Sequence, residues 1–231
     1  MLNLVYTQNL NVFDQLTLEE YLLKNYNDSF CLINEGTSPA IVLGSSNKAK
    51  DLINIDNAKK ENILLIKRFT GGGTVFVDQN TVFITFIFSK EKLKIPFFPE
   101  SIIKWAETFY KKVFETINFK AIENDFVIDN KKVAGNALYI KKDRFLIHSS
   151  FLLDFEIEKI NSYLLMPLKT PTYRNNRSHL EFLMPLKTFF SKEHFTKKIK
   201  DQLKAIFEIN RYDYLKINLK TFNANSKILT F

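Results

Sequence analysis

Apolar residues at helical spacing predict three helices in this chain. The clearest runs from about 99 to 117, where apolar side chains fall on one face of a 3.6-residue period. These residues are Ile102, Trp105, Ala106, Phe109, Val113 and Ile117. A last helix is predicted from 192 to about 208, with Phe195, Ile199, Leu203 and Ile206 facing inward. Near the start, Thr17-Leu18-Glu19-Glu20 has the spacing of a capping box, which predicts a helix from there to about Asn25.

Continuous apolar runs predict strands between these helices. They cover 30–33, 40–44, 126–128, 133–140 and 144–153, and the stretch 63–88 contains a strand, a glycine turn and one or two further strands. A short helix is predicted from 156 to 164, ending before Pro167. Neighbouring strands follow one another too closely for βαβ crossovers. The order therefore predicts an α+β fold with a largely antiparallel or mixed sheet packed by helices.

Length and composition predict one domain. The chain has 231 residues, is 45% hydrophobic and contains 23 phenylalanines, enough to bury a sizeable core. We expect a single catalytic-type domain over 1–231, in which 191–231 is a C-terminal helix and tail, with no separate accessory domain.

The chain shows no signal for secretion or for a membrane. No apolar run reaches the ~18 residues of a span, and the first 20 residues lack Lys and Arg but contain Asp14, Glu19 and Glu20. Cys31 is the single cysteine, which excludes an internal disulfide and a cysteine-rich zinc site. We therefore expect a cytoplasmic protein.

The net charge of +8 raises the question of an acidic partner. The lysines are dispersed in short clusters, without a long basic tract. This pattern favours a solvated basic surface, and after that an acidic protein partner ahead of nucleic acid.

Three of the six glycines stand together at Gly71, Gly72 and Gly73, after Arg68 and before Thr74-Val75-Phe76. Glycine lets a ligand approach the main chain, so the triplet is a candidate binding turn with Arg68 at its mouth. An ordinary hairpin turn is the alternative. Neither a Walker A sequence nor a G-x-G-x-x-G fingerprint is present, which excludes the familiar phosphate loops.

A second candidate stretch runs from Asn124 to Ala137. Asn124-Asp125 precede a strand, Asp129-Asn130 form a hairpin turn, and Lys132 begins the return strand. Beside the small residues Ala134, Gly135 and Ala137, the Lys132 ammonium could lie across a ligand that approaches the backbone. The alternatives are a solvated surface lysine and an aspartate with only a turn role.

Two further groups carry weaker signals. His148 lies in an apolar strand, where a lone histidine is most often a satisfied core residue. Arg174, Arg177 and His179 form a basic loop that could meet phosphate or carboxylate.

Taken in order, these motifs resemble the lipoate–protein ligases of the A type. The resemblance rests on 68–78, Asn124-Asp125, 132–137, His148 with Leu152-Leu153-Asp154, and the early segments 11–16 and 40–44. It covers roughly residues 5 to 190. It implies the α+β catalytic domain that this family shares with biotin ligases and class II synthetases.

The resemblance also implies a reaction in two steps. ATP, with Mg²⁺, activates lipoate or octanoate as an acyl-AMP, and the acyl group then moves to a lysine of a lipoyl domain in a 2-oxoacid dehydrogenase E2 subunit or of the glycine-cleavage H protein. Lys132 matches the motif lysine and is expected to span the phosphate and the acyl carbonyl. Asp125 is the candidate Mg²⁺ ligand. The other residues expected to bind the acyl-adenylate are Arg68, Gly71, Gly72, Gly73, Thr74, Val75, Phe76, Asn124, Asp125, Gly135, Ala137 and His148.

The chain departs from the family pattern in three places. Val77 stands where the family has histidine, Ser149 stands where glycine is usual, and the accessory domain of the longer ligases is not expected. A separate chain would supply that domain, or activity survives without it, or only part of the reaction is retained.

Two rival functions remain open. One is an octanoyltransferase of the same fold, whose cysteine-dependent members need an accessible thiolate. Cys31, in an apolar strand outside the motifs, weakens this rival. The other is a non-catalytic ligase-like protein that holds lipoylated or acceptor proteins, which the changes at Val77 and Ser149 keep open.

Overall fold

The computed structural model of the protein describes residues 1–167 and 169–230. Its strands are β1 (Leu2–Gln8), β2 (Phe30–Glu35), β3 (Ala40–Leu43), β4 (Leu64–Lys67), β5 (Val75–Val77), β6 (Thr81–Ser89), β7 (Phe119–Ile122), β8 (Asp125–Ile128), β9 (Lys131–Ile140), β10 (Arg144–Leu152), β11 (Ile209–Arg211) and β12 (Lys227–Leu229). Its helices are α1 (Val12–Asn25), α2 (Ala49–Leu52), α3 (Ile55–Lys60), α4 (Pro99–Phe114), α5 (Ile157–Tyr163), α6 (His179–Phe182) and α7 (Lys192–Ile206).

The strands form two sheets. The larger has the order β11-β1-β2-β6-β10-β9-β8-β7, and the smaller has the order β12-β4-β3-β5. From β2 to β7 all pairings in the larger sheet are antiparallel, whereas β11, β1 and β2 run parallel. The predicted α+β fold with a largely antiparallel, mixed sheet is confirmed.

The glycine segment does not close a hairpin. β4 pairs in parallel with β3, and β5 pairs with the other edge of β3 in the antiparallel sense. Residues 68–74 therefore connect β4 to β5 by crossing the end of β3, which lies between these two strands in the sheet. The hairpin alternative is wrong because the partner of both strands comes from earlier in the chain.

The main hydrophobic core lies between the larger sheet and the helices α4 and α7. On α4, Ile102, Ala106, Phe109 and Val113 are buried as the 3.6-residue period predicts. On α7, Phe195, Ile199 and Leu203 are fully buried, but Ile206 is 51% exposed. The inward position predicted for Ile206 is wrong, because α7 ends at that residue and the chain turns towards β11.

The first helix begins five residues before its predicted start, at Val12. Asn11 is its N-cap and accepts a hydrogen bond from the Phe13 N–H. Thr17 lies inside the helix, where its hydroxyl donates to the Phe13 carbonyl. The capping box predicted at Thr17 is therefore wrong, since a helical threonine can bond back to the preceding turn.

The residues after α7 tie the two sheets together. β11 adds a parallel strand beside β1, and β12 pairs with β4. In the part of the chain that the structure describes, no helix has both the length and the hydropathy needed to cross a membrane.

Candidate functional site

A cavity of about 700 Å³ brings most of the predicted site residues together. One part of it is apolar, and its side chains belong to a single hydrophobic cluster: Val12, Leu16, Val42, Val77 and Phe83. The lining also includes basic side chains, among them Lys132, Lys169, Arg174 and His179, together with the carboxylates of Asp51, Glu123 and Asp125. The cavity can therefore bind an apolar chain against its hydrophobic cluster and an anionic group beside its basic side chains.

The glycine segment lines the cavity and is held from behind by Arg68. The Arg68 guanidinium is 6% exposed. It donates to the Gly71 carbonyl at 2.8 Å and to the Gly73 carbonyl at 2.8 Å. Gly72 has a φ of +105°, and a Cβ there would lie 2.7 Å from an Arg68 nitrogen. Backbone conformation and space therefore both require glycine at 72.

Arg68 lines the cavity, and it also has a structural role that the sequence did not predict. Burial lowers the pKa of Arg68 to about 10, and the nearby Glu19 carboxylate partly offsets that effect. Because its nitrogens donate to the carbonyls of its own loop, Arg68 fixes the conformation of the loop. Gly71 is the one predicted residue that does not line the cavity; Thr74, Val75, Phe76 and Ala137 do line it.

The Lys132 side chain lies across Gly135 and lines the cavity. A Cβ on Gly135 would approach the Lys132 Nζ at 3.2 Å. Val133 and Ala134, which are buried, separate Lys132 from Gly135 in the chain. The register of β9 against β8 shifts at this point, between Phe126 and Val127 of β8. Such a bulge inserts an extra residue into the strand and changes the direction of the neighbouring side chain. Lys132 and Gly135, three positions apart, therefore lie on the same face of the sheet.

Lys132 is anchored by Asp125. Its ammonium lies 2.8 Å from Asp125 Oδ1, and the Tyr173 hydroxyl donates to Asp125 Oδ2 at 2.8 Å. The Lys132 side chain is 20% exposed and has three donors, so donors remain for a ligand. Burial first, and then the Asp125 charge, raises the pKa of Tyr173, which keeps this hydroxyl a donor.

The surroundings of Asp125 do not fit a magnesium site built from protein side chains. Both carboxylate oxygens already accept hydrogen bonds. Among residues 1–167 and 169–230, no group of three or more His, Cys, Asp or Glu is placed to hold a metal ion. Magnesium can be bound largely by nucleotide phosphates and water.

His148 lines the cavity at the end of a buried polar network. Its Nδ1 lies 2.9 Å from Glu19 Oε1 and 3.1 Å from the Thr85 hydroxyl. Glu19 is fully buried and also accepts hydrogen bonds from Gln15 and Thr85. His148 is therefore both a satisfied buried residue and part of the cavity wall, which leaves its Nε2 as the atom available to a ligand.

The serine that replaces the family's glycine has a local structural role. The Ser149 hydroxyl donates to Asn136 Oδ1 at 2.6 Å, and Asn136 Nδ2 donates to the Asn124 carbonyl at 3.0 Å. This chain of bonds connects β10 to the turn that carries Asn124, which lines the cavity. Val77 is 2% exposed and extends the apolar wall.

Several lining residues were not predicted. The apolar wall includes Leu16, Val42 and Phe83, and Asn47 Nδ2 holds the Gly72 carbonyl at 3.1 Å. Tyr173 belongs to the predicted basic loop, but its hydrogen bond to Asp125 was not predicted. The apolar residues of the wall look like any other core positions in sequence.

Cys31 lies outside the cavity. It is fully buried in the main core, and burial raises the pKa of its thiol. A buried thiol of this kind is not a nucleophile.

Comparison with known proteins assigns this chain to one family. A sequence profile of the lipoyl protein ligase A/B catalytic domain matches residues 11–208. Plasmodium falciparum has a relative named inactive lipoate–protein ligase 2, with 30% identity over 92% of this chain and 73% of its own. Lipoate–protein ligase 1 of the same organism is 28% identical over 68% of this chain and 41% of its own. A probable lipoate–protein ligase A of Mycoplasma pneumoniae is 32% identical over 54% of this chain and 36% of its own. The match to this chain thus spans about two fifths or less of the length of lipoate–protein ligase 1 and of the Mycoplasma protein.

Solved structures share the fold at low identity. The bipartite lipoate–protein ligase of Thermoplasma acidophilum, described with its E2 lipoyl domain, superposes with a TM-score of 0.75 at 19% identity, covering 92% of this chain and 85% of its own. A lipoate–protein ligase A bound with ATP gives 0.76 at 17% identity, with coverage of 92% and 87%. The Leishmania major biotin ligase gives a TM-score of 0.50 at 10% identity, covering 87% of this chain and 72% of its own.

Proposed function

The chain belongs to the lipoyl protein ligase A/B catalytic domain family, and from that premise we propose that it is an ATP-dependent lipoate–protein ligase. Lipoate or octanoate is the acyl substrate. The acceptor is a lysine of an E2 lipoyl domain or of the glycine-cleavage H protein. The observation that carries the proposal is the position of Lys132 across Gly135, in a cavity that has both an apolar wall and a basic wall.

The first step joins two anions. An oxygen of the acyl carboxylate attacks the α-phosphorus of ATP, the bond to the β-phosphate breaks, and pyrophosphate leaves. Negative charges meet in this step, so a fixed cation lowers its barrier. Lys132 supplies that charge, and its ion pair with Asp125 fixes the ammonium in place.

The second step needs no nucleophile from this chain. The neutral amine of the acceptor lysine attacks the acyl carbonyl directly, the bond to the AMP oxygen breaks, AMP leaves, and the proton lost by the amine passes to water. Lys132 stabilises the charge that returns to the phosphate. The apolar wall of the cavity holds the acyl chain during both steps, because burial of its methylenes is favourable by about 0.8 kcal/mol each.

The decisive experiment measures pyrophosphate release from ATP with lipoate or octanoate, with and without a purified lipoyl domain. A ligase releases pyrophosphate only when the acid is present, and the lipoyl domain gains the mass of one acyl group. Release without modification of any acceptor would restrict the activity to the first step.

A non-catalytic acyl-binding protein is the second candidate function. One observation favours it: a relative with 30% identity is named inactive. The resemblance to the family adds that Val77, in the cavity wall, stands where histidine is expected. Such a protein would bind lipoate without releasing pyrophosphate from ATP, which the same assay and a lipoate titration distinguish.

A further inference from the structure

A second, smaller cavity of about 360 Å³ lies between strand β1 and helix α7. The strand supplies Tyr6 and Gln8, and the helix supplies a face that includes Lys197, Lys200 and Lys204. Among the residues that the structure describes, it shares no lining residue with the larger cavity. This space, the β1–α7 groove, is therefore a surface separate from the candidate site.

The backbone of β1 bonds alternately to the strands on its two sides, as that of any strand inside a sheet does. The N–H groups of Asn3 and of Asn9, just after the strand, donate to carbonyls on the β2 side. Even-numbered residues therefore direct their N–H and C=O groups to the opposite edge, where β11 lies.

Strand β11 covers only the first half of that edge. Its register runs from Leu2 to Leu4, and its last bond goes from the Tyr212 N–H to the Leu4 carbonyl. Beyond this point, the outward N–H and C=O groups of Tyr6 and Gln8 have no backbone partner within residues 1–167 and 169–230. An edge with free groups of this kind can accept one more strand.

Positive charge lies beside this open edge. The Lys200 ammonium lies 3.2 Å from the centre of the Tyr6 ring, which holds it over β1 by a cation–π contact. Burial lowers the pKa of Lys200, Glu35 acts in the opposite direction, and Arg211 and Lys204 lower it further. With the residues that the structure describes, none of these three cations forms an ion pair.

The carboxylates of the groove leave this charge largely uncompensated. Asp201 is paired with Lys197 at 2.6 Å. Glu35 is almost fully buried, and its carboxylate accepts a hydrogen bond from a side chain of β1. Glu193 lies in the first turn of α7, about 16 Å along the helix axis from Lys204. The end of the groove near β11 therefore favours an anionic ligand.

A free strand edge beside a helix face is a geometry that binds extended peptides, because the peptide main chain pairs with the strand while its side chains contact the helix. A nucleic acid has no alternating N–H and C=O groups to pair with such an edge. We propose that the β1–α7 groove binds an extended acidic segment of a partner protein. The segment adds as a strand beside Tyr6 and Gln8 and places its carboxylates against Lys200, Lys204 and Arg211.

The test uses a synthetic peptide of about eight residues, a length typical of a strand, in which glutamate alternates with threonine. Fluorescence anisotropy measures its binding to the full chain, and the same peptide with glutamine in place of glutamate is the charge control. The glutamine peptide should bind about 10-fold more weakly, because contacts with three cations are lost. Equal binding of the two peptides, or no binding of the acidic one at ~1 mM, would overturn the proposal.

Two substitutions at Gln8 test strand addition. Gln8→Pro removes one outward N–H and breaks no bond to β2, and proline is tolerated at such an edge. Gln8→Ala loses the same side chain but keeps the N–H, so it is the matched control. The acidic peptide should bind Gln8→Pro about 2- to 10-fold more weakly than Gln8→Ala, which is the net effect of one hydrogen bond. Equal affinities of the two folded variants would contradict strand addition.

Amide hydrogen exchange of the wild type decides the same point if Gln8→Pro does not fold. The acidic peptide should slow exchange at the Tyr6 and Gln8 N–H groups, because both become hydrogen-bonded. Unchanged exchange at both groups in the presence of saturating peptide would overturn the proposal.

The charge of the groove is tested by Lys200→Gln, which should weaken peptide binding by about 2- to 5-fold. Lys120→Gln, on β7 at the other edge of the larger sheet, removes the same charge elsewhere and should bind like the wild type. Pyrophosphate release should be unchanged in both, because neither lysine lines the larger cavity. Unchanged peptide binding by Lys200→Gln would overturn the proposal, as would tighter, Lys200-dependent binding of a poly(dT) oligonucleotide, which would assign the groove to nucleic acid.

Discussion

At the scale of single residues, the charge on Lys132 is the group most closely tied to the proposed chemistry. Lys132→Ala should reduce pyrophosphate release by about 100- to 1000-fold, as expected when one preorganised charge is lost at a reacting centre. The same substitution at Lys131, the adjacent lysine that does not line the cavity, is the matched control. Near-normal release by Lys132→Ala, with the fold intact by circular dichroism, would show that another group carries the step.

The glycine triplet offers a second comparison between neighbours. Gly72→Ala forces a side chain into a φ of +105° and towards the Arg68 guanidinium, whereas a Cβ on Gly71 meets no atom within 4 Å. Urea unfolding should show a loss of about 1–3 kcal/mol for Gly72→Ala and almost none for Gly71→Ala. Equal effects at both positions would contradict the account of Arg68 as the group that shapes this loop.

Sequence alone identified the individual residues better than their tasks. The small residues Gly135 and Ala137 predicted that the Lys132 ammonium could lie across a ligand close to the backbone, and the Lys132 Nζ does lie near Gly135 in the cavity wall. The role of Arg68 was not predictable, because its partners are main-chain carbonyls, and the loop conformation that exposes them follows from tertiary packing. The same holds for His148, whose partner Glu19 is 129 residues earlier in the chain.

At the scale of elements, the C-terminal tail supports the loop that shapes the cavity. Ser226 precedes β12, and its Oγ accepts a hydrogen bond from the Phe69 N–H at 3.1 Å. Phe69 follows Arg68 directly, so the tail fixes the backbone where the glycine segment begins. Asn225 adds a second attachment through its N–H to the buried Glu20 carboxylate.

Ser226→Ala should lower the free energy of unfolding by about 1–3 kcal/mol, because it leaves the buried Phe69 N–H without a partner. Lipoate affinity should fall as well, since the loop loses one of its fixed points. Asn223→Ala, at an exposed position of the same tail, should change neither quantity. If Ser226→Ala unfolds in urea like the wild type, the tail does not brace the loop in this way.

Local patterns predicted the elements whose side chains pack along one face, such as α4 and α7. They did not predict β12, which has three residues and pairs with β4 across more than 150 positions of sequence. Nor could they show that β4 and β5 flank β3 instead of pairing with each other. Pairings of this kind depend on non-local contacts, which a sequence period does not encode.

At the scale of the whole molecule, one alternative reaction is a transfer route that uses a cysteine. Such a route forms an acyl-thioester on the protein and takes its acyl group from a carrier protein without ATP. The chain has a single cysteine, and Cys31 is fully buried in the core on β2, away from the cavity. A thiol placed there is surrounded by apolar groups that disfavour its thiolate.

Cys31→Ser should therefore leave acyl transfer to a lipoyl domain nearly unchanged while the protein becomes less stable. Placing a hydroxyl among apolar side chains costs about 1–3 kcal/mol in comparable substitutions. Cys31→Ala, which adds no polar group, separates that cost from the loss of the sulfur atom. Transfer is measured as the mass gain of the lipoyl domain, and stability by urea unfolding. If a folded Cys31→Ser chain stops transferring, and the wild type carries an acyl-thioester on Cys31 by mass spectrometry, the carrier-protein route replaces the adenylate route, because an adenylate transfers its acyl group to the acceptor lysine without any thiol.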